Sequence, residues 1–490
     1  MVPVGNAELW QGPARPGDAR GTRDVTRTVP RSLCRDRRVT EGQVTEGLEG
    51  EARRAIRSVL ENAPADGVEI VSVSSDTGLT RFANSQIIQN TVRQEVRVYV
   101  RVVVGDRWAT ATTNQLDESH LRAALDGAIA AAKVSPPDPE FPGLAVPDDV
   151  GRPRPLRRFD QAVAACDPEG RASRVREMLK AVGHHNCAGY IETLAGAMTI
   201  VSTTGVDCSD AYTRGAIQCL VDTGNGTGWG ESYSHALDEI DGVKAARAAA
   251  AKAEASNDPG DADPGIYEVV LEASAVATML EYLSWVGFGA KSMIEGESFF
   301  TERKGRRVAI PAVTVLDDAT DSRSIGVGFD LEGVPKQTVA VIDGGWASQP
   351  VTDLRTARQL GTTSTGHSTG SVEFGPYAAN VVMSGGDHSL EDLVAAVPDG
   401  ILVTRFHYVN VLDRPETLLT GMTRDGTFRI RNGEVAEAVN NFRFVQSALG
   451  ALSAVRGIGD DARAFSEAYG SFVAPSLHIG EFHFASRTSH

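Results

Sequence analysis

The chain has 490 residues, of which 41% are hydrophobic and 23% charged, and its formal net charge at pH 7 is −16. This length predicts two or three domains, and the acidic balance argues against a nucleic-acid-binding surface, which needs basic residues to displace counterions. The five cysteines are too few and too irregularly spaced for a disulfide framework, which predicts free thiols. No apolar stretch approaches the roughly 20 residues of a membrane helix, so we expect a cytoplasmic protein.

The N-terminal part of the chain contains a tail and a first folded region. Residues 1–47 are rich in arginine and proline, which predicts a disordered tail or a start codon assigned too far upstream. Residues 48–135 form the first region, with predicted helices over 49–62 and 119–133 and predicted strands over 68–73, 80–83, 95–104 and 107–113. The proline-rich residues 136–157 are predicted to be a linker.

A central region, residues 158–256, follows this linker. Its helical patterns lie around 162–163 and over 172–182 and 238–255, and its strand patterns lie over 190–194, 197–202 and 211–222. A turn-rich loop is predicted over 222–230 and a spacer over 257–265.

The third region, residues 266–490, is predicted to be mostly β-structure. Strands are expected over 267–271, 313–317, 338–342, 380–383, 400–405, 427–430 and 477–484, and helices over 275–288, 353–360 and 389–396. The order of the elements predicts an α+β fold, with mixed N-terminal α/β modules followed by a β-rich C-terminal domain.

Two groups of residues are candidate metal ligands. His184, His185 and Cys187 are nearly adjacent, with no second cluster at the spacing of a zinc finger, which favours an ordinary surface loop. His478 and His483 lie five positions apart in a predicted strand and therefore face opposite sides, where solvent exposure is expected.

Two further features have a structural and a functional interpretation. Asp317 and Asp318 follow a predicted strand, where they either bind a cation or act as paired carboxylates, or cap a turn, which is the commoner use of aspartate. The glycine-rich loop around Gly224 lacks the pattern of a phosphate-binding loop, so we expect no phosphate site there.

Several short motifs resemble the TldD/PmbA peptidase family, and specifically its PmbA branch, also called TldE. In chain order they are RFANSQI at 81–87, FDLEGVP at 329–335, STGH at 364–367, TG at 420–421, a strand ending in NGE at 434, VRGIGD at 455–460 and YGSFVAPSLHI at 469–479. The resemblance covers nearly all of the chain except the tail. It implies a subunit of a heterodimeric peptidase, in which the TldD-like partner carries H-E-x-x-x-H and a distant cysteine as a zinc site.

Transferred residue by residue, the zinc-site pattern of the family is absent from this chain. The two histidines fall at Glu281 and Val286, the glutamate at Tyr282, and the cysteine near Tyr469. Valine and tyrosine are not replacement ligands, and one carboxylate does not hold zinc tetrahedrally. The resemblance therefore implies no catalytic residue, metal or other cofactor in this chain, and zinc in the TldD-like partner.

The resemblance implies an accessory subunit that acts, with its partner, on unfolded or leader peptides, without nucleic acid or membrane. Ser364, Thr365, Gly366 and His367 lie in a predicted polar loop that either contacts peptide or partner, or uses Gly366 for its backbone freedom. Two alternatives stay open. One is a peptide-binding or modulator homodimer, and the other is a repurposed metal-free enzyme that uses residues such as Glu281 with His367.

Overall fold

A computed structural model describes residues 41–61, 63–467 and 470–488. The predicted tail lies outside these ranges except for residues 41–47, which are helical and begin the first helix earlier than expected. The N-terminal elements are α1 (Glu41–Leu60), β1 (Gly67–Ala83), β2 (Gln86–Val104), β3 (Arg107–Thr113), α2 (Glu118–Val134), α3 (Pro147–Val150), α4 (Gln161–Ala164), α5 (Pro168–Val182), β4 (Asn186–Ser202), β5 (Asp207–Asp222), β6 (Thr227–Ser234) and α6 (Gly242–Ala255). Pairs of short predicted strands merge into the long strands β1 and β4.

The N-terminal strands form one antiparallel sheet with the order β3-β2-β1-β4-β5-β6. Strands β1 and β4 pair from Glu69 to Phe82, so the regions 48–135 and 158–256, which the sequence predicts as separate domains, share this sheet. Helices α1 and α2 cover one end of one face, and α5 and α6 cover the other end of the same face. The opposite face packs against the C-terminal region.

Side-chain caps fix where two of these helices begin. Asp117 accepts hydrogen bonds from the backbone N–H groups of Ser119 and His120 at the start of α2. Asp167 accepts one from Gly170 at the start of α5, where Pro168 takes the first helical position.

The predicted linker, residues 136–157, is packed against both halves of the molecule. Trp108 donates its indole N–H to Asp138 at 2.7 Å, and Arg355 of the C-terminal region forms an ion pair with the same carboxylate. These contacts lower the pKa of Asp138 to about 2, with the Arg355 hydrogen bond as the largest cause. Residues 136–157 therefore connect the two halves of the molecule through side-chain contacts as well as through the chain itself.

The C-terminal region contains two further sheets. Its strands are β7 (Gly265–Leu271), β8 (Val315–Asp317), β9 (Val339–Asp343), β10 (Trp346–Ala347), β11 (Asn380–Met383), β12 (Asp399–Asp413), β13 (Leu418–Arg431), β14 (Glu434–Ala438), β15 (Phe442–Ser447), β16 (Val455–Ile458), β17 (Arg463–Glu467), β18 (Gly470–Ala474) and β19 (Leu477–Arg487). Its helices are α7 (Ala273–Leu283), α8 (Ala290–Ile294), α9 (Phe300–Arg303), α10 (Leu354–Leu360), α11 (Leu390–Ala395) and α12 (Ala448–Ser453). This composition confirms the α+β class.

One of the two sheets has the order β10-β9-β8-β11-β18-β17. In the other, the order β12-β7-β19-β15-β13 is closed into a ring by pairing between β12 and β13. Phe406, Phe444 and Phe482 pack against one another in this ring, with a ring-centroid distance of 4.5 Å between Phe406 and Phe444. Helix α7 lies against both sheets through its buried apolar side chains. Within the described ranges, no helix is both long and apolar enough to cross a membrane.

Candidate functional site

A cleft with a volume of about 400 Å³ opens where α7 meets β6, β12 and β17. It lies at the β6 edge of the N-terminal sheet, so its wall combines residues from both halves of the molecule. Ser274, Thr278 and Glu281 line it from one face of α7, because positions separated by three or four residues project from the same side of a helix. The apolar residues of α7, including Ala277 and Leu280, are fully buried on the other side.

Three glutamates from three elements meet in this cleft: Glu231 on β6, Glu281 on α7 and Glu467 on β17. Ser274 donates to Glu231 at 2.7 Å, and Thr278 donates to Glu467 at 3.3 Å. Burial raises the pKa of Glu467 well above its usual value, and the negative charges of Glu281 and Glu231 raise it further. The cleft thus holds three acidic side chains close together, and Glu467 keeps its proton to a higher pH than an ordinary glutamate.

Basic and aromatic side chains form the other wall of the cleft. Arg405 donates to Asp425 at 2.7 Å, and its guanidinium lies over the ring of Trp229 at 4.0 Å from the ring centroid. Burial, together with the charge of Arg405, lowers the pKa of His407 to about 4, so this histidine is neutral at pH 7. At the rim, Tyr408 is 66% exposed.

The structure brings two of the four positions of the family's zinc-site pattern into this cleft. Glu281 and Tyr282 both line it, whereas Val286 is fully buried in a π-helical turn, Ser284–Phe288, that follows α7. Tyr469 lies outside the described residues. The cleft residue Glu467 precedes it by two positions.

The side chains of Tyr282 and Val286 do not offer zinc ligands. Val286 has no donor atom, and the Tyr282 hydroxyl donates to the backbone carbonyl of Val409 at 2.6 Å. Across residues 41–61, 63–467 and 470–488, no three His, Cys, Asp or Glu side chains lie close enough together to hold a metal ion. A zinc site needs at least three protein ligands.

The STGH residues, Ser364 to His367, lie in a loop whose three side chains are buried. The His367 ring contacts Asp317 through Nε2 at 2.8 Å and Thr365 through Nδ1 at 2.9 Å. Burial acts to raise the pKa of Asp317, but its contacts with His367, the charge of Lys336 and the backbone N–H of Asn380 together outweigh burial and lower this pKa. Both ring nitrogens of His367 are thus engaged away from Glu281, and the predicted peptide or partner contact of the loop stays a prediction.

The backbone of this loop requires a glycine. Gly366 has a φ of +77°, and a Cβ atom there would lie 2.3 Å from the carbonyl oxygen of Pro335. The backbone-freedom interpretation of Gly366 is therefore confirmed. Because Pro335 ends the FDLEGVP motif, two of the motifs that carry the family resemblance pack against each other.

The FDLEGVP motif supplies two carboxylates to a second group, which we call the sealed cluster: Glu69, Arg101, Asp330, Glu332 and Asp353. Arg101 donates to Glu69 at 2.9 Å, and Asp330 accepts from the backbone N–H groups of Glu332, Val334 and Ser368. Burial outweighs these interactions and raises the pKa of Glu69 to about 7 and that of Glu332 to about 8.

The other candidate ligands are not brought together. His184 is exposed, His185 pairs with Glu254 at 2.8 Å, and Cys187 is buried. His483 is exposed as expected, but the prediction for His478 is wrong, because it is buried and contacts Glu268 at 2.6 Å. His478 lies opposite Val270 on the face of the sheet that packs against Leu393 of α11, and this helix covers the side chain.

The remaining expectations concern aspartates and cysteines. Asp318 accepts from the backbone and hydroxyl of Thr320, so it caps a turn, which is the commoner use expected for it. The four described cysteines, Cys166, Cys187, Cys208 and Cys219, are free thiols as predicted.

The sequence analysis did not identify three charged residues that line the cleft: Glu231, Glu467 and Arg405.

Two domain profiles of one family match the chain. Residues 264–486 match the PmbA/TldA metallopeptidase C-terminal domain, and residues 68–132 match the PmbA/TldA metallopeptidase domain 1, which together make up more than half of the sequence. The chain belongs to the PmbA/TldD family.

Relatives within this family carry both branch names. The chain is 22% identical to the metalloprotease PmbA homolog of Haemophilus influenzae, over 84% of this chain and 92% of that protein. It is 27% identical to the metalloprotease TldD homolog of Buchnera aphidicola, but over only 41% of this chain and 42% of that protein. The chain therefore spans less than half the length of this TldD relative.

A crystal structure of TldE from Thermococcus kodakarensis has the same fold. It superposes with a TM-score of 0.80 and 17% sequence identity, and the match covers 88% of this chain and 100% of the archaeal one. This likeness supports the fold of the chain across both halves.

Proposed function

We propose that this PmbA/TldD-family chain is a TldE-like subunit of a TldD/TldE-type metallopeptidase. It binds no catalytic zinc and acts beside a TldD-like zinc subunit on unfolded or leader peptides. The observation that carries this proposal is the cleft at the expected zinc position, where Glu281 and Tyr282 line the wall and Val286 lies in the core. A chain that keeps the cleft without the ligands is suited to bind peptide rather than to activate water.

The cleft wall supports the peptide-binding part of this proposal. Trp229, Tyr282 and Tyr408 supply aromatic surface, and Asn410 and Gln218 supply amide groups. Such a mixture of aromatic surface and a few polar groups is typical of ligand-binding clefts.

The first test is co-purification of the tagged chain from extract of its native cells, with zinc quantified in the eluate. We expect a second subunit of similar size that carries H-E-x-x-x-H and about one zinc ion per pair, as one catalytic site requires. The chain purified alone is the matched control and should contain no zinc. Zinc in the lone chain, or recovery of the chain without such a subunit, would contradict the proposal.

A metal-free activity is the second candidate, and the carboxylates of the cleft favour it. Burial raises the pKa of Glu467, and a buried carboxyl group with a raised pKa beside a second carboxyl group is a known arrangement for general acid–base catalysis. Within this candidate, Glu467 replaces His367 as the partner of Glu281, because both glutamates line the cleft. Glu467→Gln in the reconstituted complex tests it: unchanged peptide hydrolysis would eliminate the candidate, whereas loss of hydrolysis with zinc retained in the partner would support it.

A further inference from the structure

The hydrogen-bond donors in the wall of the cleft are engaged within the protein. Ser274 and Gln218 both donate to Glu231, at 2.7 and 3.5 Å. Thr278 donates to Glu467 at 3.3 Å. These bonds hold the carboxyl groups in place, and the donors that form them are directed at the wall itself rather than at the open volume.

Two further polar side chains of the wall are engaged in the same way. The Tyr282 hydroxyl donates to the carbonyl of Val409 at 2.6 Å, and the Asn410 amide donates to the carbonyl of Tyr408 at 3.3 Å. A ligand that enters the cleft therefore meets a wall whose side-chain donors are largely bonded to the protein.

The charge of the wall is negative. Among the lining residues, all of which lie in the described part of the chain, Arg405 is the one arginine or lysine, and its ion pair with Asp425 balances its charge. His407 is neutral at pH 7, because burial and the charge of Arg405 lower its pKa to about 4. The same wall carries three carboxyl groups: Glu231, Glu281 and Glu467.

A positively charged nitrogen group complements such a wall. An ammonium group carries three N–H donors and a guanidinium group carries five, and neither has an acceptor. Hydrogen bonds from these groups to carboxylates are roughly twice as strong as those between neutral groups. A ligand that presents a carboxylate or phosphate would instead meet charges of its own sign.

The protonation of Glu467 agrees with this complementarity. Burial and the negative charges of Glu281 and Glu231 raise its pKa well above the usual value. A positive charge close by favours the ionised form of a carboxyl group. A cation bound in the cleft would therefore release the proton of Glu467 and gain a further carboxylate as its partner.

We propose that the cleft binds a peptide through a positively charged group, either the side chain of a lysine or arginine or the amino terminus. The charged group lies among Glu231, Glu281 and Glu467. This inference rests on the proposed peptide-binding function and adds the chemical class of peptide that the cleft selects.

Tyr408 stands at the rim of the cleft and fits the same ligand. The pairing of β12 with β13 shifts register between His407 and Asn410, and within this irregular stretch Tyr408 has a φ of +49°, which is costly for a bulky side chain. Its ring lies 4.2 Å from that of His407 between centroids and remains 66% exposed. An aromatic ring in this place covers the apolar stem of a lysine or arginine, or contacts the charged group itself.

The first test measures the binding of three short peptides to the purified full chain by isothermal titration calorimetry. The first peptide has a central lysine and blocked ends, the second a central norleucine and a free amino terminus, and the third a central norleucine and blocked ends. At least one charged peptide should bind about tenfold more tightly than the third, because it adds a hydrogen bond between charged groups. The first two peptides decide between the side chain and the amino terminus.

The outcomes separate this inference from the function on which it rests. Equal affinity for all three peptides would overturn the preference for a positive charge and leave the peptide-binding function in place. If none of the peptides binds, both fail for this chain. The zinc-binding partner is not needed in this measurement, so its absence from the co-purification would not affect the result.

The second test locates the charged group. Glu231→Gln and Glu281→Gln keep the shape of the side chain, and each should weaken binding of the charged peptide by about tenfold without changing binding of the third peptide. Glu437→Gln is the matched control, because Glu437 pairs with Arg431 on the surface and does not line the cleft. Thermal unfolding checks that each variant is folded. A charged peptide that binds both cleft variants as tightly as the unaltered chain would overturn the proposal.

The third test concerns the rim. Tyr408→Ala should weaken binding of the charged peptide by about threefold, which is the effect expected of an exposed contact between a cation and an aromatic ring. Unchanged affinity in this variant would overturn the role assigned to Tyr408.

Discussion

The open cleft and the sealed cluster both contain acidic side chains whose pKa values are raised, yet their surroundings differ. In the sealed cluster, Asp330 accepts three backbone hydrogen bonds and Glu332 accepts one from the N–H of Leu354. In the cleft, Glu467 accepts from the Thr278 hydroxyl and faces the negative charges of Glu231 and Glu281. A carboxylate that accepts several backbone hydrogen bonds, as Asp330 does, holds two parts of the fold together, whereas carboxylates that border open volume remain available to a ligand.

The largest effect is expected beside the sealed cluster, at His367. His367→Ala leaves the Asp317 carboxylate fully buried without the ring nitrogen that contacts it, which should lower the free energy of unfolding by about 3–5 kcal/mol. Glu437→Ala is the control, because the Arg431–Glu437 ion pair is exposed and should contribute little to stability. Denaturant titration measures both. Equal effects would show that the STGH loop is less firmly packed than its contacts indicate.

A second large effect is expected at Gly366. Gly366→Ala should lower the free energy of unfolding by about 3 kcal/mol, because the new methyl group meets the Pro335 carbonyl in addition to the strain of a positive φ. Gly361→Ala is matched: its φ is +65°, but nothing lies within 4 Å of the added atom. Its loss should be about 1 kcal/mol. If Gly366→Ala lowers the free energy of unfolding less than Gly361→Ala does, the STGH and FDLEGVP motifs separate easily.

The sealed cluster should make stability depend on pH. Glu332 has a pKa of about 8 in the folded chain against an ordinary value of 4.5, so the folded state binds the proton more tightly than the unfolded state. The free energy of unfolding should therefore fall as pH rises from about 4.5 to 8, by an amount on the order of 1–3 kcal/mol. Glu332→Gln should flatten this dependence, and denaturant titrations across that range will show it. A steeper fall in the variant would contradict the assignment.

The smallest effect is expected in the cleft, and it concerns a pKa rather than stability. Glu281→Gln removes one of the negative charges that raise the pKa of Glu467 and should lower this pKa toward its usual value. An NMR titration of the Glu467 carboxyl carbon measures the change, with Glu437→Gln, at an exposed carboxyl on β14, as the control. An unchanged pKa of Glu467 would show that Glu281 does not act on it.

Much of the fold was predictable from local pattern. The strands over 107–113 and 380–383 have the predicted bounds, and the aspartate and serine that cap α10 and α11 lie where the predicted helices begin. Strand β6 was missed because its glycines indicate a loop. In the structure, Gly228 and Gly230 lie where α6 crosses the strand, and a Cβ atom at either would come within about 2 Å of a backbone oxygen of this helix.

The candidate site was only partly predictable for the same reason. Glu281 and Tyr282 were located through the family resemblance, because α7 has a strong helical pattern. Glu231 was hidden in the unrecognised strand β6, and Glu467 lies in β17, which carried no clear pattern. No local signal relates β6, β17 and α7, since their proximity depends on how two halves of the chain pack.

The pairing of β1 with β4 also has a kinetic consequence. Val68 and Thr203, which join the two strands by a hydrogen bond, are 135 positions apart in the chain. The chain loses conformational entropy when this long loop closes, before the stabilising contacts between the two strands can form. This loss slows folding. During synthesis, β1 and β2 emerge as a hairpin before β4 has been made. Until β4 pairs with β1, the backbone of β1 is exposed on one side, and the nascent chain is open to incorrect strand pairing.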